Sequence, residues 1–340
     1  MARISVALAS YNGARFIDQQ LDSLMRQTEL PHEIVVCDDG SSDNTLAIVT
    51  AFARRAPFAV RIYSNEVRLG FADNFLKAAR LCEGDLIAFC DQDDVWHERK
   101  LETCAYPFAA DPDVLLAHHA ADLVDETGAL LGRTFPAITR SRVARPLDLD
   151  PWYIPAGFSL VFAARLLDMA DFRHRPPSQV AVAGGFQAHD QWAYFVAGVA
   201  GKVAFLSDRL CLYRLHGANT CGVSDAATLR TTLQKSTQTG EGTYRGLAGI
   251  ATQYARYLEA AAADHEAMLR RRFEHGADFF RRLSHTLLLR AALYAPGNSR
   301  RQRVARFLSL AGQNAYRSRR RGGLGTLSLV KDAMFSLVRR

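Results

Sequence analysis

The feature that most limits how this chain can fold is a series of apolar runs in its first 90 residues, each closed by polar turn residues and followed by helical periodicity. Ile4–Ala9 is continuously apolar and ends at Tyr11-Asn12-Gly13; Phe16, Leu21, Leu24 and Met25 then recur on one helical face. Glu33–Cys37 reads as a second strand. Asp38-Asp39-Gly40-Ser41-Ser42-Asp43 closes it, a cluster that can turn the chain and cap a helix beginning near Asn44. Val60–Tyr63 predicts a third strand and Phe71–Leu81 a third helix, and Asp85–Cys90 a fourth strand running straight into Asp91-Gln92-Asp93-Asp94. Strands separated by helices of this length require right-handed crossovers, so an α/β fold on a mostly parallel sheet is expected. In such sheets ligands bind beyond the carboxyl ends of the strands, where both acidic clusters sit.

Beyond residue 120 the pattern loosens. Phe158–Ala163 reads as a strand, Gln191–Ala200 as a helix, and Val203–Leu206 and Cys211–Arg214 as short strands. From Tyr244 the periodicity is helical almost to the end, with breaks at Pro296-Gly297 and Gly322-Gly323. A length of 340 residues suits about two domains, here 1–225 and a helical extension over 240–340. No run approaches the roughly 18 apolar residues of a spanning helix. Ile4–Ala9 is shorter than a signal-peptide core, so a cytoplasmic protein is expected. Cys37, Cys82, Cys90, Cys104, Cys211 and Cys221 contain no C-x-x-C pair, and reduced, buried thiols fit the same compartment.

Charge is unevenly placed. Residues 299–340 carry ten Arg and one Lys against one acid, Asp332, whereas residues 1–298 hold 31 basic and 34 acidic side chains. The basic balance therefore belongs to the tail, and a body built to coat nucleic acid is excluded. Val304, Phe307, Leu308, Ala311 and Ala315 form an apolar helical face in the tail, and Leu327, Val330, Met334, Leu337 and Val338 form another. Such helices suit the surface of an anionic membrane; packing back on the domain with a solvated basic side is the other reading.

The chemistry-bearing residues gather at strand ends. Three carboxylates within Asp91-Gln92-Asp93-Asp94 repel one another unless a cation neutralises them. Mg²⁺ or Mn²⁺ prefers oxygen ligands and bridges carboxylates to phosphates, so a metal-diphosphate site is expected there. Asp38-Asp39 can accept from a nucleotide base or ribose, although the same residues make a good turn and cap. Asn65, Arg68, Gly70 and Asn74 follow the third strand, where Gly70 lets backbone approach a ligand and Arg68 can meet phosphate.

Ser10-Tyr11-Asn12, Val35–Asp43, Asn65…Gly70…Asn74 and Asp91-Gln92-Asp93-Asp94, in that order, resemble the family 2 glycosyltransferases, inverting enzymes of the GT-A fold. Phe89–Trp96, His189-Asp190 and Tyr213-Arg214-Leu215-His216-Gly217 are similar to the rhamnosyltransferase-like branch, which builds O-antigen and other bacterial surface polysaccharides. The resemblance implies a GT-A nucleotide-diphospho-sugar transferase fold with Asp39 on the pyrimidine and Tyr11 packed near it. It implies Asp91 and Asp93 on the donor diphosphate, Asp93 through the metal, and a metal site of Asp91, Asp93 and His216. Asp190 would be the general base, with His189 standing where relatives usually carry Glu. The implied donor is a nucleotide sugar, L-rhamnose from its dTDP form or a UDP-linked hexose. The implied acceptor is a saccharide, free or polyprenyl-linked. Single displacement gives inversion, with one carboxylate taking the acceptor proton.

A different class competes. Asp91-Gln92-Asp93-Asp94-Val95 also fits the D-x-D-x-[TV] motif of haloacid dehalogenase-type phosphatases, with Asp91 as nucleophile. That family places the motif near the chain's start and adds a late acidic pair; here three β-α units precede it. A catalytically silent sugar-nucleotide binder is a third reading, disfavoured by Asp190.

Overall fold

The computed structural model describes residues 2–179, 185–217, 219 and 239–337; Cys221 and Val338 lie outside the described residues. The chain divides into two compact units. One comprises Met1–Arg145, Ile154–Phe172 and Ala188–Val223, the other Pro146–Tyr153, Arg173–Gln187 and Ser224–Arg340.

The first unit is built on one sheet. Strands β1 (Ile4–Ser10), β2 (Glu33–Asp38), β3 (Ala59–Ser64) and β4 (Leu86–Cys90) run parallel in the order β3-β2-β1-β4. Helices α1 (Ile17–Met25), α2 (Thr45–Ala53) and α3 (Phe71–Leu81) connect them. Every residue of β1, β2 and β4 is buried, which explains why these strands are apolar runs without alternation. Asp43 accepts from the backbone N–H of Thr45 at 3.0 Å, so the polar cluster after β2 does cap α2.

Beyond β4 the sheet continues through β9 (Leu160–Ala163), β6 (Val114–Val124), β10 (Lys202–Arg214) and the two-residue β5 (Val95–Trp96). Here the structure adds to the sequence reading. Strand β9 is antiparallel to both its neighbours, and the two short strands expected over 203–214 are one, bent by register shifts. Strands β7 (Leu130–Thr134) and β8 (Arg142–Ala144) pair with β6 and β10. Helices α4 (Lys100–Ala110) and α5 (His189–Ala200) complete the unit.

The second unit is helical: α6 (Glu241–Ala263), α7 (Ala267–Leu293), α8 (Arg300–Gly312) and α9 (Thr326–Leu337). Both expected breaks are present. Ser299 and Gln302 form a capping box that restarts the helix after Pro296-Gly297. At the second break Gly322 has φ +71°, and a Cβ on Gly323 would lie 2.1 Å from the Arg317 carbonyl, so neither position admits a side chain easily. Asp332 is fully buried and pins the unit. It accepts from Arg290 Nη2 at 2.9 Å, from the Tyr294 hydroxyl at 2.7 Å and from the Tyr316 hydroxyl at 2.9 Å. No helix among the described residues is long and apolar enough to cross a membrane.

Candidate active site

Because β1 to β4 are parallel and in register, with Ser10 opposite Asp38 and Leu8 opposite Cys90, the residues after each strand emerge at one rim. Tyr11, Asp38-Asp39, Asn65 and Asp91 are those residues.

Asp38 is fully buried, and its carboxylate builds the loop. It accepts from the Ser10 hydroxyl at 2.9 Å and from the backbone N–H groups of Gly40 and Ser41 at 3.2 and 2.8 Å. Asp39 reaches across to the segment after β3. It accepts from Asn65 Nδ2 at 2.9 Å and from the backbone N–H groups of Leu69 and Gly70 at 2.7 and 2.8 Å. Gly70 has φ +79° and opens α3. Arg68 lies 3.8 Å from Asp39 and lays its guanidinium 3.7 Å above the Tyr11 ring, a cation–π contact on a half-exposed aromatic. Asn74 is buried; it donates to the Cys37 carbonyl at 2.8 Å and accepts from Asn65 at 2.9 Å, which holds the β2 and β3 ends together. The rim thus sets one arginine against both an aromatic face and a carboxylate.

Gln92 couples this cluster to the acidic turn. Its amide accepts from the Tyr11 N–H at 2.9 Å and donates to the Tyr11 carbonyl at 3.0 Å. The clamp passes directly over Gly13, where a Cβ would lie 2.1 Å from Gln92 Oε1.

The three acids of the turn have separate environments. Asp94 is fully buried and accepts from the Arg214 N–H at 3.1 Å, while its other oxygen has no hydrogen-bond partner among the described residues. Burial, with Asp93 and Asp91 nearby, raises its carboxyl well above the usual range. Asp91 is pushed up to about 8, by burial first and then by Asp93 and Asp190. Asp190, in the first turn of α5, accepts from the Gln191 N–H at 2.7 Å, and burial raises it to about 6. Asp91 and Asp190, 99 positions apart in sequence, therefore share one electrostatic site.

Asp93 faces a different partner. Its Oδ2 lies 2.7 Å from His216 Nε2, and the imidazole is backed by the Phe16 ring at 4.9 Å. Antiparallel pairing of β10 with β5, Leu212 opposite Val95, carries His216 back to the turn. No group of three metal-ligating side chains converges among the described residues. The donor set still fits a divalent cation bound with a phosphorylated ligand. It offers a carboxylate oxygen and an imidazole nitrogen side by side, next to acids whose repulsion a cation would relieve, with phosphate oxygens completing the shell.

Three supporting residues escaped the sequence reading or entered it only through the resemblance. Arg214 donates to the Asp93 carbonyl at 2.9 Å, the Glu126 carbonyl at 3.0 Å and Gln19 Oε1 at 2.7 Å, and so fixes the turn to its surroundings. Lys100 is fully buried beneath the acids, donating to the Phe158 carbonyl at 2.7 Å with Nζ 3.4 Å from the Trp96 ring centroid. His189 is buried within an aromatic box, stacked on Phe75 at 4.1 Å and edge-on to Phe89 at 4.7 Å. Of these only Lys100 lacked any signal, since a lysine opening a helix normally reads as solvated. The described thiols are free, and Cys37, Cys90, Cys104 and Cys211 are buried.

Residues 5–164 match the family described as Glycosyl transferase family 2. Asp190 and His216 lie beyond the matched residues. The chain is 29% identical over 222 residues to an uncharacterized glycosyltransferase of Nostoc, covering 64% of this chain and 66% of that one. An Escherichia coli UDP-Glc:alpha-D-GlcNAc-diphosphoundecaprenol beta-1,3-glucosyltransferase, WfgD, is 36% identical over 99 residues, covering 29% and 38% of the two chains. The matched segments thus span just under two thirds of the Nostoc relative's length and a smaller share of the Escherichia coli one. Among solved structures, S. aureus TarS 1-349 in complex with UDP-GlcNAc superposes with a TM-score of 0.55 over 93% of each chain at 18% identity. At that identity the likeness is one of fold, and the fold is of the GT-A type.

Proposed function

We propose, from the premise that residues 5–164 belong to glycosyl transferase family 2, that the chain moves a sugar from a nucleotide-diphosphate donor to a saccharide acceptor with inversion at the anomeric carbon. The observation that carries this reading is the rim itself. It carries an arginine-capped aromatic with Asp39, the pair Asp93 and His216, and Asp190, which is raised by burial and whose charge raises Asp91 in turn.

In this account Tyr11 and Arg68 form the platform for the nucleotide, and Asp39 exchanges its bonds to the 65–70 segment for bonds to the base. Asp93 and His216 would hold Mg²⁺ or Mn²⁺, whose charge would stabilise the leaving diphosphate. Asp190 accepts the proton of the attacking hydroxyl. Its burial suits that role, since a carboxyl held near 6 is a stronger base than an exposed aspartate yet is still ionised at neutral pH.

The donor sugar is L-rhamnose from its dTDP form, by the likeness of Phe89–Trp96 to the rhamnosyltransferase-like branch. The UDP-Glc donor in the name of the Escherichia coli relative supports a UDP-hexose as the alternative, and its diphosphoundecaprenol-linked acceptor supports a lipid-carried acceptor in surface polysaccharide synthesis. Thermal melting of the full chain against a panel of sugar nucleotides, with Mn²⁺ and with EDTA, tests the reading. At least one donor should raise the melting temperature only when the cation is present. No shift with any donor, or hydrolysis of a generic phosphate ester through Asp91, would overturn it.

A further inference from the structure

Helix α9 is inside out for a helix packed in water. Its buried positions are polar: Asp332, held by Arg290, Tyr294 and Tyr316, and Ser336, whose hydroxyl donates to the Asp332 carbonyl at 2.7 Å. Past Thr326, which opens the helix, its exposed positions are apolar. Leu327, Val330, Met334 and Leu337 are 82%, 57%, 60% and 50% exposed, and their spacing puts them on one face. An amphipathic helix on a soluble domain normally shows the reverse, and a contiguous apolar stripe in water marks an interaction surface.

The charge of the surrounding segment says which kind. Asp332 is the one acid of residues 299–340, and it is buried and neutralised by Arg290, so the described outer surface of this segment carries no acid. Arg300, Arg301, Arg306, Arg317, Arg320 and Arg321 are all exposed. Leu308, on α8, adds a further exposed apolar side chain. A second copy of the chain would bring the same uncompensated arginines to the interface and be repelled. An anionic lipid surface satisfies both halves of the pattern: acyl chains take the apolar stripe, and phosphate headgroups take the arginines.

We infer that the outward face of α9, flanked by the arginines of residues 300–321, docks the chain on an anionic membrane surface. The face lies entirely within the helical unit, so the inference holds whether or not the sugar-transfer reaction is the one proposed above.

Co-sedimentation of the full chain with phosphatidylcholine vesicles, with and without phosphatidylglycerol, is the test. Recovery with the anionic vesicles should exceed recovery with neutral ones at least roughly tenfold at low salt and fall steeply as salt is raised. Leu327→Ser/Met334→Ser alters only exposed positions and should keep the wild-type melting temperature while losing most vesicle binding. Arg320→Glu/Arg321→Glu should lose the preference for anionic lipid. Equal recovery with both vesicles would overturn the inference, as would wild-type binding by the serine variant. So would a concentration-dependent dimer that the serine variant dissolves, because the face would then be an interface between copies.

Discussion

Asp190 and Gln92 show how differently single residues declare themselves. An aspartate at the start of a helix reads from sequence as a cap, and in the structure its carboxylate does accept from the Gln191 N–H. What sequence cannot display is that the same carboxyl is buried, and that burial raises it to about 6. A base must be ionised to act, so turnover should fall as pH drops through about 6 and stay level above it until another group titrates. A rate profile flat down to pH 5 would contradict the assignment. Gln92 carried no signal, because a glutamine among aspartates is ordinary turn composition; its role exists only through the two bonds to the Tyr11 backbone. Gln92→Ala should cost about 1–2 kcal/mol in stability and raise the donor KM several-fold by loosening the aromatic platform. An unchanged KM would show that the platform needs no clamp. Asp93→Asn should leave melting nearly unchanged, since it removes charge from a repelling cluster, while abolishing cation-dependent donor stabilisation.

At the scale of elements, legibility followed burial pattern. Strands β1, β2 and β4 were readable because each is a short apolar run ending in a polar turn, the form a strand covered on both faces must take. Strand β6 escaped because Val114–Val124 is apolar with two adjacent histidines, His118-His119, and periodicity cannot separate such a run from a buried helix. The single β10 was split in two because its register shifts fall where Ser207-Asp208-Arg209 interrupt the apolar pattern. Two helical breaks were legible through Pro296-Gly297 and Gly322-Gly323, but the break between Ala263 and Ala267 was not; nor was the polar pin between α7 and α9, since Asp332 looks in sequence like the solvated acid of a basic tail. Asp332→Ala leaves Arg290 buried without its carboxylate and should cost about 3–5 kcal/mol, read from the denaturant midpoint. A loss below about 1 kcal/mol would mean the pin is dispensable.

For the whole molecule, the ordered motifs placed the strand-end rim in the first half of the chain, and the tail's charge was plain from composition. The division into units was not. Residues 146–153 and 173–187 join the helical unit through contacts such as the Tyr254 hydroxyl with Gln179 Oε1 at 3.0 Å, and no local pattern announces them. The completed site likewise depends on long-range returns: α5 brings Asp190, and β10 brings His216, to a turn near residue 92. That convergence is the central claim, and a single paired measurement addresses it. Wild-type chain and Asp190→Asn are compared for donor-induced thermal stabilisation and for release of nucleoside diphosphate from the stabilising sugar nucleotide, with Mn²⁺ and a panel of saccharides. The account predicts equal stabilisation in the two proteins and a release rate lower by roughly a hundredfold in the variant. Release by Asp190→Asn at the wild-type rate, with stabilisation intact, would contradict it.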